Sequence, residues 1–119
     1  MMDKIEFIEK CLKYFGWKYL YTSTVTDEIY IERYGQKLIF DPFKNIKDAF
    51  FLVDELIKTN YEFYLFYKQP NQINSSFRRV EWIAEIRRDG VIVTFDMASK
   101  KEDAICGAIK NALVCLGGW

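Results

Sequence analysis

The hydrophobic period changes four times along this chain, and that alternation of helical and extended spacing limits its possible folds more than any other feature. Residues 3–15 place Ile5, Ile8, Leu12 and Phe15 at helical spacing with Lys and Glu between them, and Gly16 stands where such a helix would end. Three short β-type runs follow, WKYLYTS (17–23), EIYIERY (28–34) and KLIF (37–40), with Asp27 and Gly35 near the intervening turns; they suggest a meander. Pro42 closes the third run. The period then returns to helical in NIKDAFFLVDELIKT, where Ile46, Ala49, Phe50, Val53, Leu56 and Ile57 share a face and Asn45 is placed as N-cap.

The next run, YEFYLFYK (61–68), is extended with both faces apolar or aromatic: Tyr61, Phe63, Leu65 and Tyr67 on one, Tyr64 and Phe66 on the other. That pattern predicts a strand inside a sheet and covered on both sides. Residues 78–88 alternate Val80, Trp82, Ala84 and Ile86 against Glu81, Glu85 and Arg87. Asp89–Gly90 is the pair a two-residue hairpin turn prefers, so VIVTF (91–95) returns antiparallel. Ser99 and Glu102 have capping-box spacing, Ala104, Ile105, Ala108, Ile109, Ala112, Leu113 and Leu116 form a closing stripe, and Gly117–Gly118 stops it. The expected fold class is α+β: a single domain over residues 1–119, a layered α/β/α sandwich with a mixed, largely antiparallel sheet and three helices.

Composition narrows the chemistry. Lys plus Arg and Asp plus Glu both count 17, so no general attraction to nucleic acid or anionic membrane is expected and any anion site must be local. The chain has no histidine, which removes the commonest general base, the Ser–His and Cys–His pairs and most zinc sites. Cys11, Cys106 and Cys115 lack metal-site spacing and read as small core residues. Their odd number, with no apolar signal segment ahead of the first helix pattern, points to a reducing cytoplasm. No apolar run approaches the ~20 residues that span a bilayer. The paired carboxylates Asp54–Glu55, Glu81/Glu85 and Glu102–Asp103 are the groups left for acid–base work; Glu81 and Glu85 lie roughly 13 Å apart on an extended strand, too far to couple. No nucleotide-loop or nucleophile-elbow motif is present. The sequence therefore predicts neither an enzyme nor a cofactor.

One stretch is left as a candidate site. Gln69 to Ser76 is polar and uncharged, flanked by Tyr67 and Lys68 before it and Arg78–Arg79 after it. Aromatic rings for stacking, amides for edges and a guanidinium for phosphate would suit a planar anionic ligand, with Tyr67, Lys68, Asn71, Asn74, Arg78 and Trp82 as its contacts. Strand alternation gives Arg78 one face with Val80 and Trp82, and Arg79 the other with Glu81. The same stretch also reads as a plain surface connection, and residue chemistry leaves both readings open.

Two segments carry a resemblance. FDPFKNIKDAFFLVDEL (40–56) and ASKKEDAICGAIKNAL (98–113) resemble the phage ABA sandwich domain, small proteins of phages and prophages of Gram-positive bacteria. Pro42, Ile46, Asp48, Ala49, Phe50, Val53, Glu55 and Leu56 would match its first helix, and Glu102, Ala104, Ile105, Cys106, Ala108 and Leu113 its closing one. The resemblance implies an α/β/α sandwich and a phage-type origin, with no general activity to carry over. The resulting expectation is an accessory protein that binds a host protein through exposed aromatics such as Tyr19, Tyr21, Tyr30 and Tyr34. The alternative is an anti-defence protein that sequesters a small anionic nucleotide. Aromatic strand faces that one layer cannot cover predict a homodimer.

Overall fold

Helix α1 (Lys4–Phe15) opens where the Asp3 carboxylate accepts from the backbone N–H groups of Ile5 and Glu6. It closes at Gly16, whose φ of 78° only glycine adopts freely. The computed structural model describes residues 3–68 and 81–119. The helix buries Phe7, Ile8, Cys11 and Leu12, whereas Ile5, expected on the inner stripe, is half exposed. The buried line runs through positions 7, 8, 11 and 12, an i, i+4 pattern that includes Phe7 because the larger ring gains more by burial.

Strands β1 (Lys18–Thr22), β2 (Ile29–Arg33) and β3 (Gln36–Ile39) form the expected meander, an antiparallel sheet in that order with Ile29 and Ile31 buried on one side. Helix α2 (Ile46–Ile57) begins at Asn45, whose side chain accepts from the Lys47 N–H. It buries Ala49, Leu52, Val53 and Leu56 but leaves Phe50 and Ile57 partly exposed. Strands β4 (Glu62–Lys68), β5 (Glu81–Arg88) and β6 (Val91–Ala98) make a second antiparallel sheet, and α3 (Lys101–Cys115) packs on β5, β6 and α2. The α+β class and the three helices are as the sequence predicts; every described pairing is antiparallel, and the strands form two sheets.

Other expectations need correction. Among the described residues β4 pairs only with β5 and stands at the edge of its sheet, and Tyr64 and Phe66 on its second face are partly exposed. Ser99 and Glu102 form no capping box: the helix starts one residue later, with Lys100 in the cap position and no side-chain cap. Cys11 and Cys106 are buried as expected, but Cys115 is exposed at the end of α3. The Asp89–Gly90 turn holds, with φ of 54° and 79°, and β6 runs on to Ala98. Both sheets and all three helices contribute to one core, from Phe7 and Ile31 through Leu52 and Ile86 to Ile105 and Leu113.

Candidate functional site

Strand register decides what the second sheet presents. Phe63, Leu65 and Tyr67 alternate with Tyr64 and Phe66 along β4, and Tyr67 lies directly opposite Trp82 of β5. Phe63, Leu65 and Trp82 pack on the core, together with Ala84 and Ile86 under α3. The other face has three rows across the sheet: Phe66, Ile83 and Met97; Tyr64, Glu85 and Phe95; and Glu62, Arg87 and Ile92. Ile83 is buried within its row, while Tyr64, Phe66, Val93, Phe95 and Met97 are 37–54% exposed. Among the described residues no helix lies over this face. Its polar centre is an ion pair: Arg87 donates to Glu85 Oε1 through Nε at 2.9 Å and through Nη2, and the guanidinium lies 4.5 Å from the Tyr64 ring centre. The Glu85 contact is the main reason the Arg87 guanidinium is held above its ordinary value.

At the end of that sheet, Tyr67 and Trp82 meet edge to face with ring centres 4.4 Å apart, and Tyr67 is half exposed. The Lys101 ammonium lies 5.8 Å from the Trp82 ring centre. In the sequence Lys101 is only one residue of a helix start; Ala98 standing opposite Trp82 is what brings that helix start here. Lys68 ends β4 opposite Glu81, and its side chain lies outside the described residues, as do Asn71, Asn74 and Arg78. Of the six predicted contacts the structure thus brings Tyr67 and Trp82 together.

The first sheet gathers a different set. Tyr21, Tyr30 and Ile39 form one row across its three strands, and Lys18, Glu32 and Lys37 form another. Both lie opposite in sense to buried Ile29 and Ile31. The Tyr21 and Tyr30 rings stack at 4.7 Å with a 20° tilt, and Lys37 Nζ sits 4.9 and 5.0 Å from their centres. Interaction with the Tyr21 hydroxyl is the main cause that holds the Lys37 ammonium above the ordinary lysine value. Tyr19 and Tyr34 do not join this row. The Tyr19 hydroxyl contacts Thr22, whereas Tyr34, in the β2–β3 turn, reaches Glu55 and Lys58 of the α2 end.

Glu55 is therefore part of a fixed network. Burial pushes its carboxyl up, but hydrogen bonds from Tyr34, Arg33 and Lys58 outweigh that and hold it below the ordinary glutamate value. Arg33 in turn lies 4.3 Å from the Phe51, 4.9 Å from the Trp17 and 5.0 Å from the Tyr34 ring centres. The Asp48 carboxyl, buried in the first turn of α2, is pushed up by that burial while it accepts from the Asp41 N–H at 2.8 Å. Burial likewise raises the thiols of Cys11 and Cys106, which leaves them protonated and poor nucleophiles. A hollow of about 300 Å³ beside the start of α1 is lined by Asp3, Lys4, Ile5, Thr22, Asp27 and Ile29. Its Asp3 carboxylate is committed to the helix cap and its Lys4 to Asp41.

No family model, no curated protein and no solved structure matches this chain. What fold and geometry define is an α+β domain that presents an aromatic row on one sheet and a broad apolar face on the other.

Proposed function

We propose that this chain acts by binding another protein, and that the outer face of the first sheet is the surface it uses. The observation that carries this reading is the stacked Tyr21–Tyr30 pair beneath Lys37, with Ile39 completing the row. Tyrosine offers large contact area with few rotatable bonds, and a pair already stacked and capped has lost much of its freedom before any partner arrives. Lys18 and Lys37 flank Glu32 in the adjacent row and would orient a partner's carboxylates against the rings. The absence of histidine and the raised, protonated thiols support a role without catalysis.

The partner we propose is a host protein, with this chain an accessory factor of phage or prophage type working in the host cytoplasm. Support for that origin is the resemblance of residues 40–56 and 98–113 to the phage ABA sandwich domain. The test is affinity capture from a Gram-positive bacterial lysate, comparing the native chain with a Tyr21→Ser/Tyr30→Ser variant by quantitative mass spectrometry. A host protein captured in near-equal amount by the native chain and depleted about tenfold or more by the variant, at an unchanged melting temperature, is the expected result. Equal capture by both sinks the reading.

A second reading has its own observation, the Tyr67–Trp82 pair with Lys101 beside it. A planar nucleotide could stack there with its phosphates toward the ammonium. A thermal-shift screen decides, because a ligand at a hundred times its Kd adds ~2.7 kcal/mol of stability. A flat response across nucleotides removes it.

A further inference from the structure

We propose that the outer face of β4–β5–β6 is a two-fold self-association surface on which a second copy of this chain docks face to face. Six apolar side chains, Tyr64, Phe66, Ile92, Val93, Phe95 and Met97, stand there 37–54% exposed. Since a fully open aromatic side chain offers on the order of 200 Å², they amount to roughly 500 Å² per copy. That is as large as the largest apolar patch on a typical monomer, and two such faces together bury about 1,000 Å², the lower bound of a specific interface. The pairing is therefore reversible and dependent on concentration.

The charges identify the occupant. An isologous contact needs a surface complementary to itself, and at the middle of the face β5 carries Glu85 and Arg87, opposite charges two residues apart, with Glu81 at the far end of the strand. A two-fold axis lying between the two sheets and crossing β5 between these residues sets each Glu85 over Arg87 of the second copy. The same operation lays the Tyr64, Glu85 and Phe95 row over the Glu62, Arg87 and Ile92 row. Phe95 then meets Ile92, and the Tyr64 hydroxyl, which donates to Glu62 at 3.2 Å within its own chain, meets Glu62 of the second copy. Sheets stacked this way lie about 10 Å apart, the spacing at which side chains of this size interdigitate. This surface is separate from the tyrosine row of the first sheet, so the self-association stands or falls independently of the proposed partner.

Sedimentation velocity from low to high micromolar protein tests it. The mass should move from 14.2 kDa toward twice that value. Phe95→Lys should hold the chain at the lower mass with an unchanged far-UV spectrum, and Met97→Lys serves as the same test if the first variant fails to fold. Arg87→Glu should weaken pairing about tenfold or more, because it sets like charges opposite each other. Adding Glu85→Arg to Arg87→Glu should restore pairing, since the exchanged pair is again complementary to itself. A native chain that stays at 14.2 kDa throughout overturns the proposal. So does a dimer that survives Phe95→Lys and Met97→Lys undiminished, or a folded double exchange that fails to pair.

Discussion

At Gly107 the closing helix comes so near β6 that a Cβ would stand 1.7 Å from Asp96 Oδ2 and 3.0 Å from Asp96 Cβ. A Cβ there would have to displace the Asp96 carboxylate, whose Cγ would lie 2.6 Å away, from its place against the helix, so Gly107→Ala should destabilise the fold by ~1–3 kcal/mol, the range for overpacking. Chemical denaturation checks this, and Asp96→Ala in the same chain should recover most of the loss because the two positions couple directly. Asp96 itself is raised above the ordinary aspartate value by burial. The folded chain thus holds this proton to higher pH than the unfolded one, and stability falls as pH rises from the ordinary value through the raised one. Asp96→Asn should then be more stable than the native chain near neutrality, with the advantage vanishing in acid; denaturation midpoints across that window provide the measurement, and an advantage that persists in acid would contradict the linkage. A glycine within an otherwise helix-favouring stretch, as at Gly107, is the one mark this close approach leaves in the sequence. Asp48 leaves none, because a hydrophobic stripe cannot reveal a carboxylate buried to accept one specific N–H, that of Asp41.

Elements were legible where a local rule was enough, as in the Asp89–Gly90 hairpin and the Asn45 cap, and misread where tertiary context decided. The two-sided apolar pattern of β4 has the same appearance whether both faces lie in a core or one is left open, and the exposure of Tyr64 and Phe66 in the folded chain separates the cases. The candidate loop was legible as a polar break, but the side chains of four of its six predicted contacts fall outside the described residues. The β2–β3 turn shows how context overrides propensity. Tyr34 takes a φ of 51°, a region that bulky residues avoid, and its hydroxyl is held between Glu55 and Lys58. Through Glu55 this turn also engages Arg33, whose side chain is 13% exposed, so the network ties the first sheet to α2. Glu55→Gln should cost ~1.5–3 kcal/mol near neutrality, the worth of a hydrogen bond to a charged group. Because Glu55 is held below its ordinary value, its contribution is complete above the unfolded-state value and lost as pH falls through the lowered one. The difference between native and variant chains should therefore shrink in acid, and a difference constant with pH would show that the carboxylate's charge plays no part.

For the whole molecule, the two proposed surfaces together imply a bivalent binder. If the second sheet joins two copies, the assembly carries two Tyr21–Tyr30 rows, and a partner that is itself multimeric or densely arrayed can engage both. The second engagement is then intramolecular, which raises overall affinity by about a hundredfold or more without any new contact. Phe95→Lys leaves the tyrosine row untouched, since Tyr21 and Tyr30 belong to the other sheet. Its effect should accordingly depend on how the partner is presented. Against dilute monomeric partner in solution, the variant and the native chain should bind with the same Kd per site; against partner immobilised at high density, the variant should dissociate about a hundredfold faster. Surface plasmon resonance at low and high partner density, alongside calorimetry in solution, makes the comparison. Equal off-rates at both densities would show that pairing adds no avidity, and a weaker Kd in solution would show that the partner contacts the second sheet itself. Only a loss confined to the dense surface fits one sheet face that joins copies and another that grips the partner.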